Sequence, residues 1–140
     1  MTMPTNEEIV LDVIHAVENR DRTTLDRLYH SDVEFHWPPA LPYGGTHSGA
    51  AVARMSAQFA QIWFLLQPTE SERRMDPQII AADGDNVVVR YTWKGCDTTG
   101  KRFETPTLAH YRVRDGKLVR AQMYYYDLTG LLDFLRDAKV

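Results

Sequence analysis

Asp127 is the carboxylate in this sequence whose surroundings best suit acid/base chemistry. In MYYYDLTG (123–130), it follows three tyrosines at the end of a β-rich run. Because side chains two apart in a strand share a face, an inward Asp127 would lie beside Tyr125 and Met123. A carboxyl group among apolar side chains has a raised pKa and can act as a general acid or base. Asp127 also precedes Leu-Thr-Gly, where it could instead cap a final helix.

Two histidines lie in other runs that predict strands. His36 is in VEFHW (33–37), and His110 is in FETPTLAHYRV (103–113). An imidazole titrates near neutral pH and can donate or accept a hydrogen bond at a reaction site. Each histidine could equally be an ordinary hydrogen-bonded residue of the core or surface. A metal set formed with His47 is disfavoured, because the spacing matches no zinc signature.

The elements that position these side chains begin with helices at the start of the chain. Thr5-Asn6-Glu7-Glu8 forms a capping box before a helix with apolar residues at 3.6-residue spacing. Asp21 can cap a second, short helix. A strand over 33–37 ends at two prolines, and a longer helix is expected from about residue 48 to residue 66. Phe59 and Trp63 belong to the apolar stripe of that helix.

Strands dominate the chain after residue 68. Four β-rich runs are separated by turn signals such as Asp-Gly and Thr-Gly, which predicts a meander of antiparallel hairpins. LTGLLDFLRDA (128–138) then predicts a short final helix. This order indicates an α+β fold with helices on one face of the sheet and a pocket between the layers. We expect the pocket to be aromatic and largely apolar.

Composition limits the possible partners. The 140 residues predict a single domain over 1–140, with 44% hydrophobic and 25% charged residues. A net charge of −3 without a basic patch argues against nucleic-acid binding. The longest apolar run, IWFLL (62–66), is too short to cross a membrane. The N-terminal residues lack the apolar core of a signal peptide, and Cys96 is the one cysteine, so a cytoplasmic protein is expected.

Cofactor motifs are missing from the sequence. It contains neither a glycine-rich phosphate loop nor a cluster of metal-ligating residues. We therefore expect neither a cofactor nor a bound metal.

Three motifs carry a resemblance to a known family. FHWPPALPYGGTHSG (35–49), HYRVRDGKLV (110–119) and YYYD (124–127) occur in the order typical of the SnoaL-like branch of the NTF2-like superfamily. That superfamily includes polyketide cyclases, ketosteroid isomerases and limonene epoxide hydrolases. The resemblance implies an NTF2-like cone, in which a curved, antiparallel-rich sheet wraps around helices and encloses a pocket. This fold hosts many activities and many members without catalysis.

The resemblance also implies roles for individual residues. Relatives use an inward acid at the position of Asp127, which implies acid/base catalysis of cyclase or isomerase type on a small hydrophobic carbonyl compound. His110, His36 and Tyr43 would donate hydrogen bonds to the enolate oxygen. Arg90 would orient or charge-balance Asp127. The substrate would further contact Tyr125 and the aromatic residues at 59 and 63.

Several alternatives stay open. In epoxide-hydrolase relatives an arginine matching Arg90 bridges two aspartates, but the position of one holds Thr92. The base of a ketosteroid isomerase would fall near Trp37, which cannot take a proton. A dehydratase that uses the two histidines and a non-catalytic ligand-binding module are further possibilities. Arg90 could also be a surface residue, and Tyr43 could simply close its loop onto the core.

Assembly is the last expectation. The family dimerises through the outer face of its sheet, which we expect here to carry Tyr91, Trp93 and Tyr111. Such aromatic side chains are costly to leave in water. The resemblance therefore predicts a homodimer.

Overall fold

The fold is an open six-stranded sheet with helices packed against it. A computed structural model describes residues 2–140. The elements are α1 (Asn6–Glu18), α2 (Arg22–Leu28), β1 (Tyr29–Trp37), β2 (Gly45–Ser48), α3 (Ala51–Leu66), α4 (Glu70–Arg73), β3 (Gln78–Asp83), β4 (Asn86–Cys96), β5 (Arg102–Arg114), β6 (Lys117–Tyr125) and α5 (Leu128–Asp137). The strand order is β2-β1-β6-β5-β4-β3, and β1 and β6 are the parallel pair in this otherwise antiparallel sheet. The predicted α+β class is confirmed.

Local sequence signals explain where the helices begin. The capping box of Thr5 and Glu8 is present in full, and Asp21 accepts a hydrogen bond from the Thr24 amide at 3.1 Å. The helix α3 begins at Ala51 rather than near residue 48, because residues 45–48 form the strand β2, which pairs antiparallel with β1. The short helix α4 was not predicted. No helix within residues 2–140 is long and apolar enough to cross a membrane.

The sheet has two chemically distinct faces. We call the helix-covered side the inner face and the opposite side the outer face. In β4, β5 and β6 the buried inner residues include Val87, Val89, Tyr91, Trp93, Ala109, Tyr111, Val113, Ala121, Met123 and Tyr125. Their neighbours on the outer face include Arg90, Leu108, His110, Arg112 and Tyr124, which are exposed or half-buried. This alternation is typical of an antiparallel sheet with one solvated face.

The prediction that Tyr91, Trp93 and Tyr111 lie on the outer face is wrong. All three are buried on the inner face, with at most 6% of their surface exposed. The apolar side of β4 and β5 packs against the helices, because burial of large aromatic side chains is favourable whereas burial of unpaired arginine is costly. The charged residues of these strands accordingly face solvent.

Candidate functional site

A cavity of about 170 Å³ lies between the inner face and helices α1, α2 and α3. We call it the inner cavity. Its walls are mainly aliphatic and aromatic side chains, and its polar groups come from a few arginine, tyrosine, tryptophan and serine residues. These polar lining residues are Arg20, Arg22, Tyr29, Trp37, Ser56, Tyr91, Trp93, Tyr111 and Tyr125. Within residues 2–140, no aspartate, glutamate, histidine or lysine lines the cavity.

Trp93 presents an unpartnered hydrogen-bond donor in the wall of the cavity. Its indole nitrogen Nε1 is buried and makes no hydrogen bond to any atom of residues 2–140. The ring is held by Trp63, edge-on at 5.0 Å between centroids, and by Phe59 at 5.6 Å. A buried donor without an acceptor costs roughly 1–3 kcal/mol, so native proteins seldom leave one unless a ligand or water completes it.

The other indole donors near the cavity are already engaged. Trp37 Nε1 lies 3.3 Å from Met55 Sδ, and Trp63 Nε1 donates to the Tyr43 hydroxyl at 3.0 Å. Trp93 therefore differs from its two neighbours in having a donor to spare.

The tyrosines of the cavity are protonated at neutral pH. Burial raises the pKa of Tyr29 to about 12 and the pKa of Tyr91 and Tyr125 well above its ordinary value of 10.0. The Tyr91 hydroxyl lies near Tyr111, and the Tyr125 hydroxyl lies near Tyr43. These phenols act as neutral hydrogen-bond donors and acceptors rather than as anionic bases.

The mouth of the cavity is basic and aromatic. Arg20, in the connection between α1 and α2, donates from Nη2 to the carbonyl oxygens of Phe64 at 3.3 Å and Gln67 at 2.7 Å. Its guanidinium carbon also lies 4.2 Å from the Phe64 ring centroid. Arg22 lies beside it on α2 and forms an exposed ion pair with Asp26 at 3.0 Å.

Asp127 is not in the inner cavity, so its predicted position is wrong. Its Oδ1 accepts a hydrogen bond from the Gly130 amide at 2.8 Å, and the residue is exposed at the start of α5. Tyr125 and Met123 do point inward, but β6 ends at Tyr125 and its alternation ends there too. The carboxylate is the helix cap that the sequence offered as the alternative.

His36 and His110 also lie outside the cavity, on the outer face. His36 Nε2 is 3.0 Å from Glu34 Oε1, and its Nδ1 is 3.1 Å from the Thr46 hydroxyl. His110 Nε2 is 2.8 Å from Asn86 Oδ1. The expectation that these histidines face a bound substrate is wrong, because each occupies the solvated side of its strand.

Arg90 is likewise exposed on the outer face, away from the cavity lining. His47 is a loop residue, with Nε2 2.9 Å from the Tyr43 carbonyl oxygen. Within residues 2–140, no cluster of three or more metal-ligating side chains occurs. The polar residues proposed from the sequence therefore do not converge at one site.

The four aromatic residues expected to contact a substrate lie in or near the inner cavity. Phe59 and Tyr125 line the inner cavity. Trp63 and Tyr43 do not line it, but their rings contact the lining residues Trp93 and Phe59. Tyr43 is 1% exposed and closes its loop onto the core, as the alternative interpretation had it. Sequence reasoning missed Arg20, which stands at an ordinary helix end and carries no signal of a site.

Trp93 was missed as a cavity residue because it was assigned to the outer face of the sheet, as part of a dimer interface. The run from 87 to 94 alternates Val87, Val89, Tyr91 and Trp93 with a more polar set. That alternation alone places the tryptophan inward.

Comparison with known proteins reveals one family and one fold. The model of the SnoaL-like domain family matches residues 10–121. TerC, crystallised with polyporic acid, is 23% identical with a TM-score of 0.78, covering 94% of this chain and 98% of its own. IdmH, a candidate polyketide cyclase from Streptomyces antibioticus, is 21% identical with a TM-score of 0.73, covering 91% and 96%.

An NTF2-like protein from Burkholderia pseudomallei is 20% identical with a TM-score of 0.78, covering 95% of this chain and 98% of its own. No curated protein sequence matches the chain. At these identities the structural likeness shows the fold alone. The predicted NTF2-like fold is confirmed.

Proposed function

Because the chain belongs to the SnoaL-like domain family, we propose that its inner cavity binds a small hydrophobic carbonyl compound and activates the carbonyl group by hydrogen bonding. The reaction class is cofactor-independent proton transfer of polyketide-cyclase type. The apolar walls select a hydrophobic body, and a few donors fix its orientation.

The unpartnered Nε1 of Trp93 is the observation that carries this proposal. A carbonyl oxygen is the ligand atom that best satisfies a lone N–H donor in an apolar wall. The hydroxyls of Tyr91 and Tyr111 lie on the same inner face and supply further donors. Donors in a dry cavity stabilise the negative charge that develops on an enolate oxygen much more than they would in water.

The chemistry must proceed without a carboxylate or imidazole in the wall. In an intramolecular aldol cyclisation, the enol carbon of the substrate attacks a second carbonyl carbon of the same molecule. The enol O–H proton passes through the Tyr91–Tyr111 pair to the oxygen of the attacked carbonyl, which becomes an alcohol. Atoms balance within the substrate, and the cavity contributes the approach of the two carbons and the proton relay.

A second candidate is a non-catalytic binding module. It is favoured by the lack of an aspartate, glutamate or histidine in the cavity lining of residues 2–140. The dehydratase and epoxide-hydrolase variants find less support, since His36, His110 and Arg90 all face away from the cavity.

The binding half of the proposal is tested with 2-acetonaphthone and 2-ethylnaphthalene, which differ mainly in the carbonyl group. Calorimetry should show that the ketone binds about fivefold more tightly, as one hydrogen bond contributes about 1 kcal/mol. Trp93→Phe should abolish this preference and preserve binding of the hydrocarbon. Trp37→Phe is the matched control, because Trp37 also lines the cavity but its donor is engaged by Met55. Equal affinity for both compounds in the wild type would contradict the proposal.

The catalytic half is tested by hydrogen–deuterium exchange at the acetyl methyl group of 2-acetonaphthone, followed by NMR in D₂O. Because the described cavity lining offers no base, a solvent base such as deuteroxide must take the methyl proton, and a protein that stabilises the resulting enolate should accelerate exchange above the buffer rate. Loss of one oxyanion donor typically costs about 10²–10³ in rate, so Trp93→Phe should remove most of the acceleration. Exchange at the buffer rate, together with tight ketone binding, would favour the binding module.

A further inference from the structure

The electrostatics of the cavity mouth point to the charge of the ligand. We infer that the ligand of the inner cavity is an organic anion, whose carboxylate or ionised acidic enol is held at the mouth by Arg20 and Arg22. This inference rests on the proposed function. Its hydrophobic body would extend inward, with a carbonyl group towards Trp93. Arg20 and Arg22 would thus determine which carbonyl compounds are accepted.

Arg20 has hydrogen-bonding capacity left over. Both of its contacts, to the carbonyl oxygens of Phe64 and Gln67, are made by Nη2. Within residues 2–140, its Nε and Nη1 have no hydrogen-bond partner, and no carboxylate lies within 4.0 Å of its guanidinium group. Arg20 is a half-buried residue, and arginines withdrawn from solvent are normally paired with a carboxylate.

The position of Arg20 is fixed by the protein itself. Its backbone adopts the left-handed conformation, with φ +54°, which a residue other than glycine rarely takes. The two carbonyl contacts and the Phe64 ring, 4.2 Å from the guanidinium carbon, hold the side chain across the mouth. A donor group that is ordered in advance loses little entropy when an anion binds.

Positive charge accumulates around this mouth. Apart from tyrosines, Arg20 and Arg22 are the ionisable side chains lining the cavity within residues 2–140. Burial lowers the pKa of Arg20 from its ordinary value of 12.5, and the nearby cation Arg73 lowers it further, yet the group stays charged at neutral pH. Arg22 also lies near enough to the Tyr29 hydroxyl to favour its ionised form, although burial dominates there.

The positive charge at the mouth is opposite in sign to the net charge of the chain. The chain has a net charge of −3, so a basic mouth does not follow from overall composition. Asp26 offsets the charge of Arg22 at the surface, so the uncompensated positive charge of the mouth comes from Arg20, which is paired with no carboxylate in the described part of the chain. The mouth would therefore repel a cationic ligand and attract an anionic one.

The inference is tested with 6-acetyl-2-naphthoate and its methyl ester, which share the acetyl group and ring system and differ in charge. We expect calorimetry at low ionic strength to show about tenfold tighter binding of the acid, the effect of one charge-assisted hydrogen bond. Arg20→Gln should bring the two affinities together by weakening acid binding alone. Arg20→Lys should restore part of the preference.

Two further variants make the test specific. Arg22→Gln should also lower the preference for the acid. Because Arg22 is at a more exposed position on a helix, this variant keeps the test usable if Arg20→Gln impairs folding. Arg54→Gln on α3 is the matched control, because Arg54 is exposed, lies outside the cavity lining and changes the net charge equally.

The outcomes separate this inference from the proposed function. Equal binding of the acid and the ester to the wild type would overturn the inference and leave ketone binding standing. A preference that survives in both Arg20→Gln and Arg22→Gln would also overturn it. If neither compound binds, the proposed function falls and the inference falls with it.

Discussion

At the residue scale, Asp127 separates a structural role from a chemical one. Its carboxylate accepts the Gly130 amide hydrogen bond, and its own amide donates to the Thr105 hydroxyl at 2.9 Å. Asp127→Ala should lower the free energy of unfolding by about 1 kcal/mol, whereas Asp127→Asn should be close to neutral because asparagine caps equally well. Urea denaturation measures both.

The same two variants test for a hidden chemical role. Because Asp127 lies outside the inner cavity, binding of 2-acetonaphthone should be unchanged in both. Loss of methyl exchange in Asp127→Asn at unchanged stability would show that the carboxylate takes part in chemistry after all.

Asp127 also shows how far a residue's position can be predicted from the sequence. Met123 and Tyr125, which were placed inward together with Asp127, are buried on the inner face. Asp127 keeps the same parity, but the strand ends two residues earlier and the chain turns into a helix. A side chain at an element boundary cannot be assigned by extending the period of either element.

At the element scale, Asp97 joins the β4–β5 turn to the C-terminal segment. Its Oδ1 accepts from the Thr99 hydroxyl at 2.6 Å and from the Lys101 amide at 3.0 Å, while Oδ2 accepts from the Lys139 amide at 3.2 Å. The Thr99 hydroxyl above all, with these amides, lowers the pKa of Asp97 from 3.8 to about 2, although desolvation opposes the shift.

This depressed pKa predicts a pH-dependent stability. A carboxyl whose folded pKa is below its unfolded pKa stabilises the protein fully above the unfolded value and progressively less as pH falls towards the folded value. Asp97→Asn should therefore be less stable than the wild type at pH 7, and the gap should shrink between about pH 4 and pH 2. Urea denaturation across that range measures it. A gap that stays constant with pH would contradict the assignment.

At Gly95, β4 packs closely against side chains of two helices, α3 and α5. A Cβ atom there would lie 2.9 Å from Phe134 Cε2 and 3.1 Å from Trp63 Cζ3. Gly95→Ala should lower the free energy of unfolding by about 1–3 kcal/mol through overpacking, measured by thermal or urea denaturation. Thr92→Ala on the same strand, facing outward, should cost much less. Equal losses in both variants would contradict this packing argument.

The two faces of β4 and β5 explain why the site was only partly predictable. His110 and Arg90 were predicted to point inward because of their chemistry, although the hydrophobic alternation of their strands places them outward. The buried side is decided instead by the aromatic and β-branched residues, including Tyr91 and Trp93. A one-residue change of parity exchanges the whole set of cavity residues, so fold and element order were predictable while the site was not.

At the scale of the whole molecule, the sheet separates the inner cavity from the solvated outer face. The inner face and the helices enclose the cavity, with Arg20 at its mouth. The outer face carries a row across three strands formed by Arg90, Leu108 and Tyr124, which are paired in register. Leu108 is 44% exposed and Tyr124 is 54% exposed, so this face retains apolar surface outside the core.

The exposed row offers an interface for the expected homodimer in place of Tyr91, Trp93 and Tyr111, which are buried on the inner face. We propose that Leu108 and Tyr124 pack against a second copy of the chain, because exposed apolar patches mark interfaces. Sedimentation at on the order of tens of micromolar should show a dimer for the wild type and a monomer for Leu108→Glu combined with Tyr124→Glu. Leu65→Glu is the control, since Leu65 is 58% exposed but lies on α3, across the cavity from the outer face. That variant should remain a dimer and bind 2-acetonaphthone normally. A wild-type protein that sediments as a monomer would refute the dimer, and dissociation by Leu65→Glu would place the interface on the helices instead.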